Sequence, residues 1–152
     1  MKVLVDSNVI LELVLQREQI DVAHQLISLL RKEKCELWMT AGGVYGLIYT
    51  IDKYLRKVME MKNPERTMSL RLIMTYVLNL FNVAGQDKQV FLDGVKDIAF
   101  QDIEDSCQYQ AALKCGCDYL VTFNVRDYLS AEGLKVLSPQ ELLDYLTDNI
   151  ST

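Results

Sequence analysis

Acidic and amide side chains fall where the apolar runs of this sequence end, and their types suit chemistry on phosphate esters. Asp6 terminates the run KVLVD and is followed by Ser7 and Asn8. Asp102 and Asp105 stand three apart, so both project from one side of a helix's first turn. Asn124 and Asp127 follow the run CDYLVTF. Each residue alone has an ordinary structural explanation: Asp102 as an N-cap, Asp105 as a complement to the positive helix end, Asn124 as the head of an Asx-turn. Together on one edge of a sheet they repel one another, and a divalent cation would relieve that repulsion. Oxygen donors without a His or Cys set select Mg²⁺ or Mn²⁺. Such an ion steadies the charge on a phosphate and acidifies water, and a neighbouring carboxylate can take the proton.

Other chemistries fit less well. Gly42, Gly43 and Gly46 match no phosphate-binding loop. The lone His24 sits in an amphipathic segment, away from any Ser and Asp that could complete a triad. Cys35, Cys107, Cys115 and Cys117 lack the spacing of a zinc site and read as buried free thiols, which suit a reducing cytoplasm. No apolar leader opens the chain, and the longest uncharged runs, 37–51 and 72–86, fall short of the roughly 20 residues of a membrane span. The net charge of −5 excludes bulk attraction to nucleic acid or anionic lipid, so a nucleic-acid substrate would need a local basic patch or a bridging metal.

The elements that must hold these residues alternate. Short apolar runs at 2–6, 35–40, 81–84, 117–123 and 135–137 read as strands buried on both faces. Helical spacing covers 8–16, 21–34, 43–59, 64–80, 87–96 and 103–114, the last with Asp102 as its cap. Ser138, Pro139, Gln140 and Glu141 form a capping box that opens a final helix. Alternation of this kind predicts a three-layer α/β domain with a mostly parallel sheet, one unit over 1–152. Ligands of such sheets bind outside the carboxyl ends of the strands, where Asp6 and Asn124 arrive.

Four stretches in order, VDSNVILELVLQRE, DIEDSCQYQAAL, TFNVRDY and SPQELL, resemble a PIN domain, most closely the small bacterial toxin–antitoxin type. The resemblance spans essentially the whole chain, with 41–84 matching only in helical pattern. It implies an α/β/α sandwich and metal-dependent cleavage of RNA, with weakly bound Mg²⁺ or Mn²⁺, a small antitoxin partner and a homodimer. Asp6 matches the family's first acid and Asp105 its third, both as metal ligands. Asn124 stands where the fourth acid or its amide replacement is found, with Asp127 after it, and these two join the catalytic set. Ser7, Asn8 and Asp102 support it. The second acid is missing: Gly46 occupies its place, no acid lies between Glu36 and Asp52, and Glu12 is the candidate substitute.

Between 53 and 71, Lys53, Arg56, Lys57, Lys62, Arg66 and Arg71 face only Glu60 and Glu65. This is either a solvated surface or a track for single-stranded or structured RNA, with Tyr54 available for stacking. Leu47, Ile48, Ile51 and Leu55 on the same helices serve either the core or the homodimer surface. Two other functions remain open: a degenerate PIN domain that binds RNA or protein without cutting, and a haloacid-dehalogenase-like phosphatase. The run Asp6-Ser7-Asn8-Val9 echoes the latter's nucleophile motif, but Asn8 removes its general acid.

Overall fold

β1 (Lys2–Val5) is buried on both faces, with Val3, Leu4 and Val5 at most 1% exposed. A strand so placed must lie inside a sheet covered by helices above and below. The computed structural model describes residues 1–128 and 133–150, so part of the expected 1–152 unit lies outside the described residues. After β1 come α1 (Ser7–Val14), α2 (Ile20–Lys32), β2 (Glu36–Thr40), α3 (Ala41–Lys57), α4 (Glu65–Leu80) and β3 (Asn82–Ala84). The chain continues through α5 (Lys88–Lys96), α6 (Ile103–Cys115), β4 (Tyr119–Val121), a 3₁₀ turn (Val125–Tyr128), β5 (Lys135–Leu137) and α7 (Pro139–Ile150). Every strand pairing is parallel, in the order β3-β2-β1-β4-β5.

Alternation along the strands divides the core. Val3, Val5, Leu37, Met39 and Val121 pack with residues of α1, α2, α3, α4 and α7. Leu4, Leu120, Trp38 and Val136 point the other way, toward Tyr109 and Ala112 of α6. The expected three-layer sandwich results. Its chain winds outward from β1 to β3, then crosses to the far side of β1 for β4 and β5. The winding therefore reverses between β1 and β4, the place where open parallel sheets bind ligands.

Two expectations are refined. Leu47, Ile51 and Leu55 are core residues, and of that set only Ile48 is exposed, because α3 lays the first three against the sheet. The strand expected over 117–123 is shorter at both ends. The Cys117 N–H closes the end of α6 by donating to the Ala112 carbonyl, while beyond Thr122 the Phe123 and Asn124 N–H groups turn to side chains of the site. The cysteines are free thiols, with Cys107 buried and the others half-buried. Among the described residues, no helix is long and apolar enough to cross a membrane.

α5 and α6 touch backbone to backbone at Gly94. Ser106, fully buried, donates to the Gly94 carbonyl at 2.8 Å. A Cβ at Gly94 would lie 2.6 Å from the Cys107 Sγ and 2.9 Å from its Cα and N. Backbone cannot swing aside as a side-chain tip can, so Gly94→Ala should destabilise the protein by about 1–3 kcal/mol in urea unfolding. A loss near zero would show that the two helices slide apart freely.

Candidate functional site

The winding reversal is stapled by side chains. Asp6 caps α1 in extended conformation, and its backbone N–H donates to the Val121 carbonyl at 2.9 Å, tying the end of β1 to β4. Its Oδ2 accepts the Thr122 hydroxyl proton at 2.8 Å, and its Oδ1 accepts from Ser7 Oγ and the Asn8 N–H at 3.3 and 3.4 Å. Thr122 Oγ1 in turn accepts from Asn8 Nδ2 at 3.1 Å and from the Asn124 N–H at 3.0 Å. The hydroxyl has one proton and two lone pairs, so all of its capacity is used and its orientation is fixed. Asn8 Oδ1 also accepts the Phe123 N–H at 3.4 Å. Asn8 therefore holds the end of one strand against the other, and Asp6 is aimed by three donors.

Asp105 arrives from the first turn of α6. Asp102 caps that helix, its Oδ1 accepting from the Glu104 and Asp105 N–H groups at 2.7 and 3.3 Å. The Tyr128 hydroxyl donates to Asp105 Oδ1 at 3.1 Å and accepts from Gln108 Nε2 at 2.8 Å. Burial raises the Asp105 carboxyl from 3.8 to about 6; the Tyr128 hydrogen bond opposes this, and the charges of Asp102, Asp6 and Asp127 add to it. Burial and the Asp6 and Asp105 charges likewise push the Tyr128 hydroxyl far up, so it remains a proton donor.

Asp6 and Asp105 line one cleft of about 470 Å³, with Ser7, Thr40, Gln86 and Glu104. Neither carboxylate has a cationic partner among the described residues, although Asp6 is only 8% exposed. No three His, Cys, Asp or Glu side chains among the described residues are grouped closely enough to hold a metal unaided. Mg²⁺ does not require three, because it keeps several waters and binds through one or two carboxylates. Two carboxylates on one cleft with no cation nearby, one of them Asp105 with its proton affinity raised by burial and by neighbouring charges, fit such an ion.

The remaining candidates are scattered. Asn124 opens the 3₁₀ turn, with its carbonyl accepting the Asp127 N–H, and both side chains are exposed and outside the cleft wall. Asp127 is felt at Asp105 only through its charge. Glu12 is placed elsewhere: its Oε2 accepts the Gln19 N–H at 2.8 Å, so it closes the turn between α1 and α2 instead of replacing the missing acid. Gly46 lies one helical turn beyond Gly42 and Gly43, which line the cleft, and it is exposed. Lys53, Arg56, Lys57 and Lys62 are exposed at the far end of α3, whereas Arg66 is held by Asp52 at 3.1 Å. From Gly43 to Lys57 the helix rises roughly 20 Å, so this basic surface is remote from the cleft.

Glu104, Thr40, Gln86, Gln108, Thr122 and Tyr128 were not among the residues anticipated. Thr122 and Tyr128 do bracket the TFNVRDY stretch, and that stretch was their only signal.

A family model described as a PIN domain matches residues 2–126. No curated protein matches the chain. Among solved structures, FitAcB from Neisseria gonorrhoeae superposes with a TM-score of 0.68 at 17% identity, covering 91% of this chain and 98% of that one. VapBC-1 from nontypeable Haemophilus influenzae gives 0.65 at 19% identity over 92% and 99%. VapBC2 from Rickettsia felis, bound to a DNA fragment from its promoter, gives 0.65 at 12% over 91% and 98%. At these identities the structures speak to the fold.

Proposed function

The chain belongs to the PIN-domain family, and from that membership we propose that it is a Mg²⁺- or Mn²⁺-dependent endoribonuclease acting as the toxin of a toxin–antitoxin pair. The observation that carries this reading is the convergence of Asp6 and Asp105, without a cation, on one cleft where the sheet reverses its winding. A divalent ion held there supplies charge neutralisation at a phosphate and a more acidic water. The protein's own part is positioning. Thr122, Ser7 and the Asn8 N–H fix the Asp6 carboxylate, while Tyr128, itself held by Gln108, fixes Asp105. Glu104, exposed on the cleft wall, is the carboxylate free to take a proton from the attacking water.

A similar structure, a toxin–antitoxin complex from Klebsiella pneumoniae, supports a small antitoxin as partner. The exposed Tyr45, Ile48 and Tyr49 of α3 suit a homodimer surface. In the monomer, RNA would instead have this face of α3 open to it as far as Lys53, Arg56, Lys57 and Lys62. Gly46 and Asn124 favour a second reading, a PIN domain that binds RNA without cutting it. Incubating the purified chain and a labelled single-stranded RNA with Mn²⁺ or EDTA separates the two. Cleavage only with the ion supports the nuclease; binding without cleavage supports the second reading.

Metal binding should depend on pH in a defined direction. A ligand carboxylate must be ionised, and Asp105 holds its proton up to about pH 6. Mn²⁺ affinity measured by calorimetry should be level above pH 7 and fall by about tenfold between pH 7 and 5, as protons compete for Asp105. An affinity unchanged down to pH 5 would remove Asp105 from the ligand set.

A further inference from the structure

A second cavity of about 470 Å³ opens beside the cleft, at the edge of the sheet where β2 and β3 meet the flank of α6. Trp38, Gly85, Gln86, Asp87, Lys114 and Cys115 are among the residues lining it. Gln86 lines both cavities, so they are neighbours across a single side chain. Its Oε1 accepts the Gly42 N–H at 2.7 Å, while its amide nitrogen makes no hydrogen bond among the described residues. Trp38 is half-buried, and its indole N–H is already taken by Glu36 Oε2 at 3.2 Å. It therefore lines this cavity as a flat ring, not as a donor.

Charges of both signs surround the ring: the Glu36 carboxylate at its edge, Asp87 and Lys114 in the cavity wall, and Lys2 over the ring itself. The Lys2 ammonium sits 5.4 Å from the centre of the Trp38 ring. Lys114 pairs with Asp87, but both side chains are more than half exposed, and such a pair is worth little in water. Lys114 can thus turn to an incoming anion at small cost. A flat aromatic wall, a free amide N–H₂ and the Lys114 ammonium are what a nucleotide needs: a surface for its base, a donor for the base edge, and a cation for its phosphate.

We propose that the Trp38 cavity is a subsite for one base of single-stranded RNA, adjacent to the phosphate held in the Asp6–Asp105 cleft. The proposal rests on the nuclease reading for what lies next door, but not for its own chemistry. The base stacks on Trp38, Gln86 meets its edge, and Lys114 meets the phosphate that leads to the cleft.

Trp38 is the one tryptophan of the chain, so its emission reports on this site directly. In EDTA, titrating heptaadenylate into the protein should quench Trp38 fluorescence saturably, whereas an A–U duplex of equal length, with its bases already stacked, should not. Lys114→Glu, an exposed change that leaves the core intact, should raise the half-saturating concentration by about tenfold or more. Trp38→Leu should weaken heptaadenylate binding, read by anisotropy, by roughly 5- to 100-fold, the stacking contribution of a single base. Binding that leaves Trp38 emission unchanged, quenching indifferent to Lys114→Glu, or no binding at all overturns the proposal. A parallel Mn²⁺ cleavage assay keeps the two readings apart. Quenching without cleavage upholds the subsite while the nuclease reading fails, and cleavage without quenching does the reverse.

Discussion

Asp105→Asn is expected to reduce Mn²⁺-dependent RNA cleavage by at least roughly 10²-fold, and Asp6→Asn to do the same, because each removes one of the two formal charges that would hold the ion in the cleft. The two variants differ in how cleanly they test the site. Asp105→Asn keeps an oxygen for the Tyr128 hydroxyl, so the change is mainly one of charge. Asp6→Asn must set an N–H₂ group or an oxygen against Thr122, whose two lone pairs are already filled by Asn8 and Asn124. If the N–H₂ faces Thr122, two donors meet with no acceptor, and the staple between β1 and β4 loosens. A loss of activity in Asp6→Asn alone therefore carries less weight than the same loss in Asp105→Asn. Single-turnover cleavage that survives in both variants, or in EDTA, would assign the activity to another site or another protein.

The Asp105 substitution has a thermodynamic signature that needs no RNA. In the metal-free protein the folded state binds the Asp105 proton more tightly than the unfolded chain does, at about 6 against an ordinary 3.8. Stability from this group is thus fully present below the unfolded value, declines as pH rises through that window, and is lost above about 6. An amide at this position cannot ionise and escapes the loss. Asp105→Asn should therefore melt higher than the parent at pH 7 without metal, with the gap closing as pH falls toward 4. With saturating Mn²⁺ the order should reverse, since only the parent gains ligand stabilisation. A variant that melts lower than the parent at neutral pH without metal would mean that Asp105 is not under the repulsion described.

How much of this was legible in the sequence depends on the kind of residue. The sheet was, because Val3–Leu4–Val5 and Leu120–Val121 are apolar on both faces and such runs have few other uses. The caps at Asp102 and Ser138 were legible too, since a cap is a local hydrogen bond between residues two or three apart. Asp6 and Asp105 were visible as acids at element ends. Glu12 was misjudged because sequence proximity to Asp6 says nothing of direction, and its carboxylate closes a turn at the far end of α1. Thr122, Tyr128 and Gln86 were invisible for the opposite reason. Each acts on a partner some twenty to over a hundred positions away, and neutral side chains carry no signal until the fold supplies that partner. The basic run from 53 to 71 offers less free charge than its composition implies, because Asp52, just ahead of it in sequence, holds Arg66.

If Gly46 holds the place of the family's second acid, a carboxylate put back there has a measurable effect. Gly46 follows Gly42 by four residues and Gly43 by three, so the three share a face of α3, and the first two line the cleft. A Cβ built at Gly46 meets nothing within 4 Å, whereas one at Gly42 would lie 2.9 Å from Gln86 Oε1. Position 46 therefore accepts a side chain freely, whereas at position 42 the tip of Gln86 would have to shift. Gly46→Glu should bring a third carboxylate toward Asp6 and Asp105. Mn²⁺ affinity should rise by at least about tenfold, the low end of what even an outer-shell partner contributes, and any ribonuclease activity should rise with it. Melting temperature without metal does not decide the matter, because two effects oppose. Replacing a helical glycine gains roughly 0.5–1 kcal/mol on the Ala scale, while a further negative charge beside Asp105 costs stability. The deciding quantity is the difference in Mn²⁺ affinity between variant and parent, measured by calorimetry at pH 7, where Asp105 is ionised. Equal affinities in two well-folded proteins would show that α3 turns position 46 away from the ion. Glu104, already on the cleft wall, would then be the third carboxylate to remove and test.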